Sequence, residues 1–150
     1  MPVVVTGADQ PLGRAVVLEL AGRGGDVRAT VRSRAAAGAL RAVGVRVLVG
    51  DLSDPLRLGA AIEDAHTVLH LDRGPDGHGS PGDTWEWLIE AAEDTCVRRI
   101  VTVLPQDDAR GLAPTCESVV LRVSLQRPDL PGYPDAELVR ELLAADLRAG

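Results

Sequence analysis

The chain has 150 residues, the size of one domain, and its 45% hydrophobic and 25% charged content is that of a globular rather than a disordered sequence. The net charge of −6, from 16 basic and 22 acidic residues, argues against a nucleic-acid surface, and no apolar run of about 18 residues is present to span a membrane. All the basic residues are arginine and the only tyrosine is Tyr133, so no mechanism can draw a catalytic lysine from this chain. The first residues carry no basic stretch ahead of an apolar one, which speaks against a cleaved signal. Cys96 and Cys116 are too few for a disulfide scaffold, and a reduced, cytoplasmic setting is the simpler reading.

The first predicted strand is Pro2 to Thr6, whose unbroken valines suit a parallel strand covered on both faces. Gly7 ends it. A helix opens at Pro11, where a missing N–H costs nothing, and carries Leu12, Val16, Val17 and Leu20 on one face until Gly22, Gly24 and Gly25 stop it. A second strand covers Asp26 to Val31. A short Ala-rich helix then runs from Ser33, a plausible N-cap, to Ala42. Val45, Val47 and Val49 mark the third strand, and Ser53-Asp54-Pro55 opens a third helix through Glu63. The fourth strand is His66 to Leu71, followed by a glycine- and proline-rich loop from Asp72 to Asp83.

A helix over Thr84 to Thr95 places Trp85, Leu88, Ile89 and Ala92 on one face. The fifth strand spans Arg99 to Leu104, a polar stretch covers Pro105 to Thr115, and a sixth strand reads from Glu117 to Leu125. Asp135 to Arg148 is a final amphipathic helix. Strand and helix alternate throughout, which predicts a single α/β domain over residues 1–150 with a doubly wound, parallel, Rossmann-like sheet of about six strands. Right-handed crossovers are expected to place alternate helices on opposite faces.

The turn between the first strand and first helix reads Thr6-Gly7-Ala8-Asp9-Gln10-Pro11-Leu12-Gly13. A glycine-rich turn there is a phosphate cradle: glycine permits the tight turn and close approach, and the helix N-terminus offers free N–H groups and the positive end of its dipole. Gly7 suits the tight turn and Gly13 the close helix–strand contact.

At this point the chain resembles the short-chain dehydrogenase/reductase superfamily, in its extended and atypical branches: the epimerase/dehydratase-like and NmrA-like NAD(P)-binding proteins. Thr6, Gly7, Ala8 and Gly13 match the family turn, while Gln10 stands at its middle glycine and Pro11 at that of the classical branch. Gly50-Asp51-Leu52-Ser53-Asp54-Pro55 resembles the family's G-D-L-x-D-P, the stretch from Ala60 to Leu71 its fourth-strand motif, and Leu88 to Val103 its fifth-strand motif with Cys96 in place of glycine. The likeness covers roughly residues 2 to 104.

The resemblance implies a nicotinamide dinucleotide on Thr6, Gly7, Ala8, Gln10, Pro11, Leu12 and Gly13. It gives Arg32, supported by Arg34, the 2′-phosphate of NADP, so NADP is expected over NAD. It places Asp51 on the adenine amine and Leu52 beside the ring, and it puts His70 and Leu71 at the cofactor side of the fourth strand. Each assignment has a plainer alternative: surface arginines at a helix start, a helix-capping turn at Asp54-Pro55, and a packed or hydrogen-bonded strand histidine.

The family's proton-transfer pair, a tyrosine followed four residues later by lysine, has no counterpart. The fifth strand ends Val103-Leu104-Pro105, and Glu137 lies four residues past Tyr133. By the resemblance, the helix that carries the pair and the substrate lobe are expected to be essentially absent from residues 1–150. No Cys-x-x-Cys spacing and no Gly-x-Ser-x-Gly elbow occurs, and no metal site is expected among His66, His70 and His78. Asp72, Asp76, Asp107 and Asp108 lie in loops near the carboxyl ends of strands four and five, where they read first as solvated carboxylates and second as an acid/base pair.

Three functions fit: a cofactor-sensing or regulatory module without classical catalysis, an atypical NADPH-dependent reductase or epimerase completed by a partner or dimer mate, and a cofactor-free interaction domain. Trp85 and Trp87, about 200° apart on one helix, cannot face the same core, so one is expected to be exposed or in an interface, and a homodimer or protein partner is expected through that helix.

Overall fold

The structure, a computed structural model, describes residues 2–50, 53, 55–73, 84–93, 95–105 and 117–123. Six strands form one parallel sheet: β1 (Val3–Thr6), β2 (Val27–Val31), β3 (Arg46–Val49), β4 (Thr67–His70), β5 (Arg99–Pro105) and β6 (Glu117–Val123). Their order is β3-β2-β1-β4-β5-β6. The helices are α1 (Pro11–Gly22), α2 (Arg34–Ala42), α3 (Pro55–Ile62) and α4 (Trp85–Ala92). Each expected element within the described residues is present, with ends shifted by a few residues. The expected helix from Asp135 to Arg148 lies outside the described residues.

Side-chain alternation along the central strands divides the core in two. Val5, Leu69 and Val101 point to one face, where Val16, Val17 and Leu20 of α1 and Ala37 and Leu40 of α2 cover them. Their neighbours Val4, Val68 and Ile100 point to the other, against Leu58 and Ile62 of α3 and Trp85 and Leu88 of α4. All six strand residues are fully buried, which is why these strands read as continuous apolar runs. The helices do not alternate faces as expected. Two lie together on each side, because strand order runs outward from β1 to β3, then jumps back to β4 and runs the other way. The faces exchange once, at the α3 connection.

That reversal falls between β1 and β4, and the crevice outside the carboxyl ends of two such strands is the place where doubly wound sheets receive ligands. The outer strand β3 is shielded differently. Arg41 Nη2 and Arg57 Nη1 donate to the carbonyls of Val47 and Val49, at 3.1 and 3.0 Å, which blunts that edge against further strand pairing.

Candidate functional site

The crevice is built around two glycines. Gly7 has φ +70°, the left-handed region, and a Cβ there would lie 2.7 Å from the backbone of Leu71 and Asp72. At Gly13 a Cβ would lie 2.2 Å from the Gly7 carbonyl oxygen. The turn therefore folds tightly against both β4 and its own helix, and no other residue fits either position. Gln10 N–H closes the turn on the Gly7 carbonyl at 3.0 Å.

Gln10 itself is extended (φ −91°, ψ 153°), a conformation open to any residue, so replacing the family's glycine imposes no backbone strain there. Its side chain makes no capping hydrogen bond. The first-turn N–H groups of Leu12 and Gly13 consequently have no side-chain acceptor from the N-cap, and Pro11 has no N–H to satisfy. This combination of compact turn and uncapped helix start fits an anionic diphosphate. Pro11 is exposed at the mouth, whereas Thr6 and Ala8 are buried and shape the turn from below.

Beneath the turn lies a buried polar chain. Thr6 Oγ1 accepts from the N–H groups of Leu71 (3.0 Å) and Asp72 (3.3 Å), which uses its acceptor capacity. Its own proton must then go to His70 Nδ1, 2.8 Å away. That leaves the ring hydrogen on Nε2, donated over 2.8 Å to Thr84 Oγ1. Thr84 sits at the N-cap position of α4 and makes no capping bond to that helix. Thr102 Oγ1 donates to the His70 carbonyl at 2.7 Å, and the His70 ring packs 6.1 Å from that of Trp85. His70 is fully buried: its ring ties β4 to β1 and to the start of α4, and its carbonyl takes the bond from β5. Leu71 is likewise buried.

Across the crevice, Arg32 follows β2 and Asp72 follows β4, with β1 and Gly7 between them. Arg32 Nη2 and Nε donate to Asp72 Oδ2 and Oδ1 at 3.1 and 3.3 Å, a two-pronged ion pair over the glycine turn. Only 4% of the Asp72 side chain and 17% of the Arg32 side chain are exposed. The expectation of a solvated loop carboxylate at Asp72 is thus overturned: the β4 segment is drawn onto Gly7 and Thr6, and the carboxylate goes under an arginine. The Arg32 N–H donates to Asp9 Oδ2 at 3.0 Å, fixing the backbone from which the guanidinium reaches. Arg34 is exposed at the start of α2. Ser33 holds the N-cap position of that helix without a side-chain capping bond.

The structure therefore brings Thr6, Gly7, Ala8, Gln10, Pro11, Leu12, Gly13, Arg32, His70 and Leu71 to one end of the sheet. Asp51, Leu52, Asp76, Asp107 and Asp108 lie outside the described residues. Asp9, the ion-paired state of Asp72, and Thr84 add to what sequence reasoning found. The position of Asp72, directly behind a strand that borders the crevice, was the available signal. Among the described residues no group of three or more His, Cys, Asp or Glu side chains is placed to hold a metal ion, and no helix is long and apolar enough to cross a membrane.

Residues 7–107 match the model of a family described as NAD(P)H-binding. No curated protein sequence matches the chain. Among solved structures, the anaerobilin reductase ChuY from Escherichia coli O157:H7 is similar in fold, with a TM-score of 0.61 and 23% identity over 71% of this chain and 52% of that one. The triphenylmethane reductase of a Citrobacter species gives a TM-score of 0.61 at 26% identity, covering 77% of this chain and 41% of that one. An NADPH-dependent quinone oxidoreductase from Escherichia coli, solved with NADPH, gives 0.56 at 28% identity, covering 67% and 36%. The chain thus spans about half or less of the length of these proteins. It belongs to the NAD(P)H-binding family, as a nicotinamide-dinucleotide-binding Rossmann domain of the atypical short-chain dehydrogenase/reductase group, related to NAD(P)H-dependent reductases.

Proposed function

We propose that this chain is a cofactor-sensing or regulatory module that binds NADP(H) in preference to NAD(H) and contributes no tyrosine–lysine proton transfer of its own. The observation that carries the reading is the contrast between an intact cradle and missing acid/base chemistry. Gly7 and Gly13 keep a geometry that admits no side chain, while the chain contains no lysine at all. The diphosphate would lie against the Leu12 and Gly13 N–H groups, the adenine near Asp51 and Leu52, and the 2′-phosphate by Arg32 and Arg34. A bound nicotinamide can give or take hydride; the residues here only bind and orient it. Arg32 supports the NADP(H) preference as a cation held at the rim of the cradle, on the far side of β1 from β4.

A second reading is favoured by the relatives whose names describe reductases: an NADPH-dependent reductase whose substrate lobe comes from a partner or dimer mate. Trp87, 40% exposed on α4 opposite the buried Trp85, supports self-association or a protein partner on that helix. A cytoplasmic setting is part of the same proposal, supported by the reduced-thiol reading of Cys96 and Cys116.

Calorimetric titration with NADPH and NADH tests the main reading. Tighter NADPH binding, weakened by about 1–3 kcal/mol in Arg32→Ala, is expected. Equal or tighter NADH binding rejects the role of Arg32, and no binding of either at millimolar concentration leaves the cofactor-free interaction domain. Light scattering after size exclusion tests association: a dimer that Trp87→Ser disperses is expected, and a monomer at micromolar concentration rejects it.

A further inference from the structure

The ion pair over the cradle is not explained by dinucleotide binding. The Arg32 guanidinium, the group expected to meet a 2′-phosphate, already holds a carboxylate in a two-pronged contact at 3.1 and 3.3 Å. Asp72 is 3% exposed, and its backbone cannot swing aside freely. Its N–H is bonded to Thr6 Oγ1, and its Cα lies against Gly7, where a Cβ would come within 2.7 Å. The Arg32 backbone is pinned in the same way by Asp9. Both partners are thus anchored to the cradle itself, one on each side of β1, with the side chains meeting between them.

A purely structural pair has little reason to lie there. Burying two charges costs desolvation that their attraction only partly offsets, and the same two regions are already joined by Arg28 and Asp64 at the opposite end of the sheet. At the ligand end, the Asp72 carboxylate occupies the donors that an incoming phosphate needs and adds a negative charge beside it.

We propose that Asp72 is a positioning residue that sets cofactor choice: by holding the Arg32 guanidinium across the crevice, it makes a 2′-phosphate bind only by displacing a carboxylate. The inference rests on the reading of the crevice as an NADP(H) site. It implies that NADPH preference in this chain is restrained, and that the restraint acts on the 2′-phosphate far more than on the rest of the dinucleotide. An NADH molecule lacks that phosphate and leaves the pair closed.

The test is calorimetric titration of NADPH and NADH into the unaltered chain, Asp72→Asn, Asp72→Glu, Arg32→Ala and the Arg32→Ala/Asp72→Asn double variant. Asp72→Asn is expected to bind NADPH about tenfold more tightly, while NADH changes by less than about twofold. Asp72→Glu, which keeps the charge, should stay near the unaltered ratio. Removing Arg32 should abolish the effect of Asp72→Asn on that ratio.

A role limited to fold stability would lower the melting temperature and move both affinities together, which overturns the proposal. Binding by Asp72→Asn where the unaltered chain does not respond supports it. Binding by the unaltered chain with an unchanged NADPH/NADH ratio in Asp72→Asn removes this inference and leaves the NADP(H) reading standing. No binding by any of the five proteins removes both. Should Asp72→Asn fail to fold, a structure of the unaltered chain with NADPH decides: the guanidinium is expected on the 2′-phosphate, and a guanidinium still on Asp72 overturns the proposal.

Discussion

Two arginine–aspartate pairs link β2 to the region around β4, passing β1 at opposite ends of the sheet. At the amino end, Arg28 donates from Nη1 and Nη2 to the Asp64 carboxylate just before β4, the latter at 2.9 Å. At the carboxyl end, Arg32 holds Asp72 just after β4. The arginines are alike in exposure, 18% and 17%, but the Asp64 side chain is 63% exposed and that of Asp72 only 4%. Water screens the first pair, so its contribution to stability is small and salt-sensitive. The second is shielded and stands where this fold binds ligands. The same pair of residue types, spanning the same strands, therefore serves as a surface tie at one end and borders a binding crevice at the other.

The sharpest way to probe this division is at the glycines. Gly13→Ala forces a Cβ onto the Gly7 carbonyl at 2.2 Å, and denaturant unfolding should show a loss of about 3 kcal/mol. Dinucleotide binding should disappear with it. Next comes removal of each arginine. Arg32→Ala takes the two-pronged contact from a buried carboxylate and is expected to cost about 2–3 kcal/mol by the same assay. Arg28→Ala should lower the melting temperature only slightly, by an amount that shrinks in high salt. Comparable losses from the two substitutions would break the comparison.

Away from the crevice the sequence should tolerate change. Gly38 lies within α2, and a methyl added there would meet nothing within 4 Å, so Gly38→Ala should stabilise the chain by about 0.5–1 kcal/mol. The smallest effect belongs to acid. The Arg28 hydrogen bonds hold the Asp64 carboxyl below the usual carboxylate range. A folded value below the unfolded one means that the pair's contribution is complete above the ordinary carboxylate range and is lost as pH falls through the depressed value. Asp64→Asn should therefore flatten, slightly, the fall in melting temperature between neutral pH and acid.

The parts of the fold that are legible in the sequence are those set by neighbours along the chain. The run Val3-Val4-Val5 gives a strand buried on both faces because consecutive side chains meet opposite layers. Gly7 and Gly13 can be assigned because a strand, a tight turn and a helix start follow one another within a dozen residues. Trp85 and Trp87 part ways as expected, since helical geometry alone separates them. The pairing of helices on each face differs from expectation because it depends on strand order, which local pattern does not encode. The Arg32–Asp72 contact is hidden for the same reason: 40 residues separate the two, and only the order β2-β1-β4 brings them together. The bracing of Thr6 by His70 and Thr84 likewise needs β1, β4 and α4 assembled before it exists.

The glycine turn is proposed to hold the diphosphate of a nicotinamide dinucleotide. Amide chemical shifts followed while NADPH is added test it most directly. Saturable shifts concentrated at Gly7, Leu12 and Gly13 are expected, with weaker ones at Arg32 and Asp72. Saturable binding whose shifts leave those three amides unmoved, or an unchanged spectrum at millimolar NADPH, would contradict it.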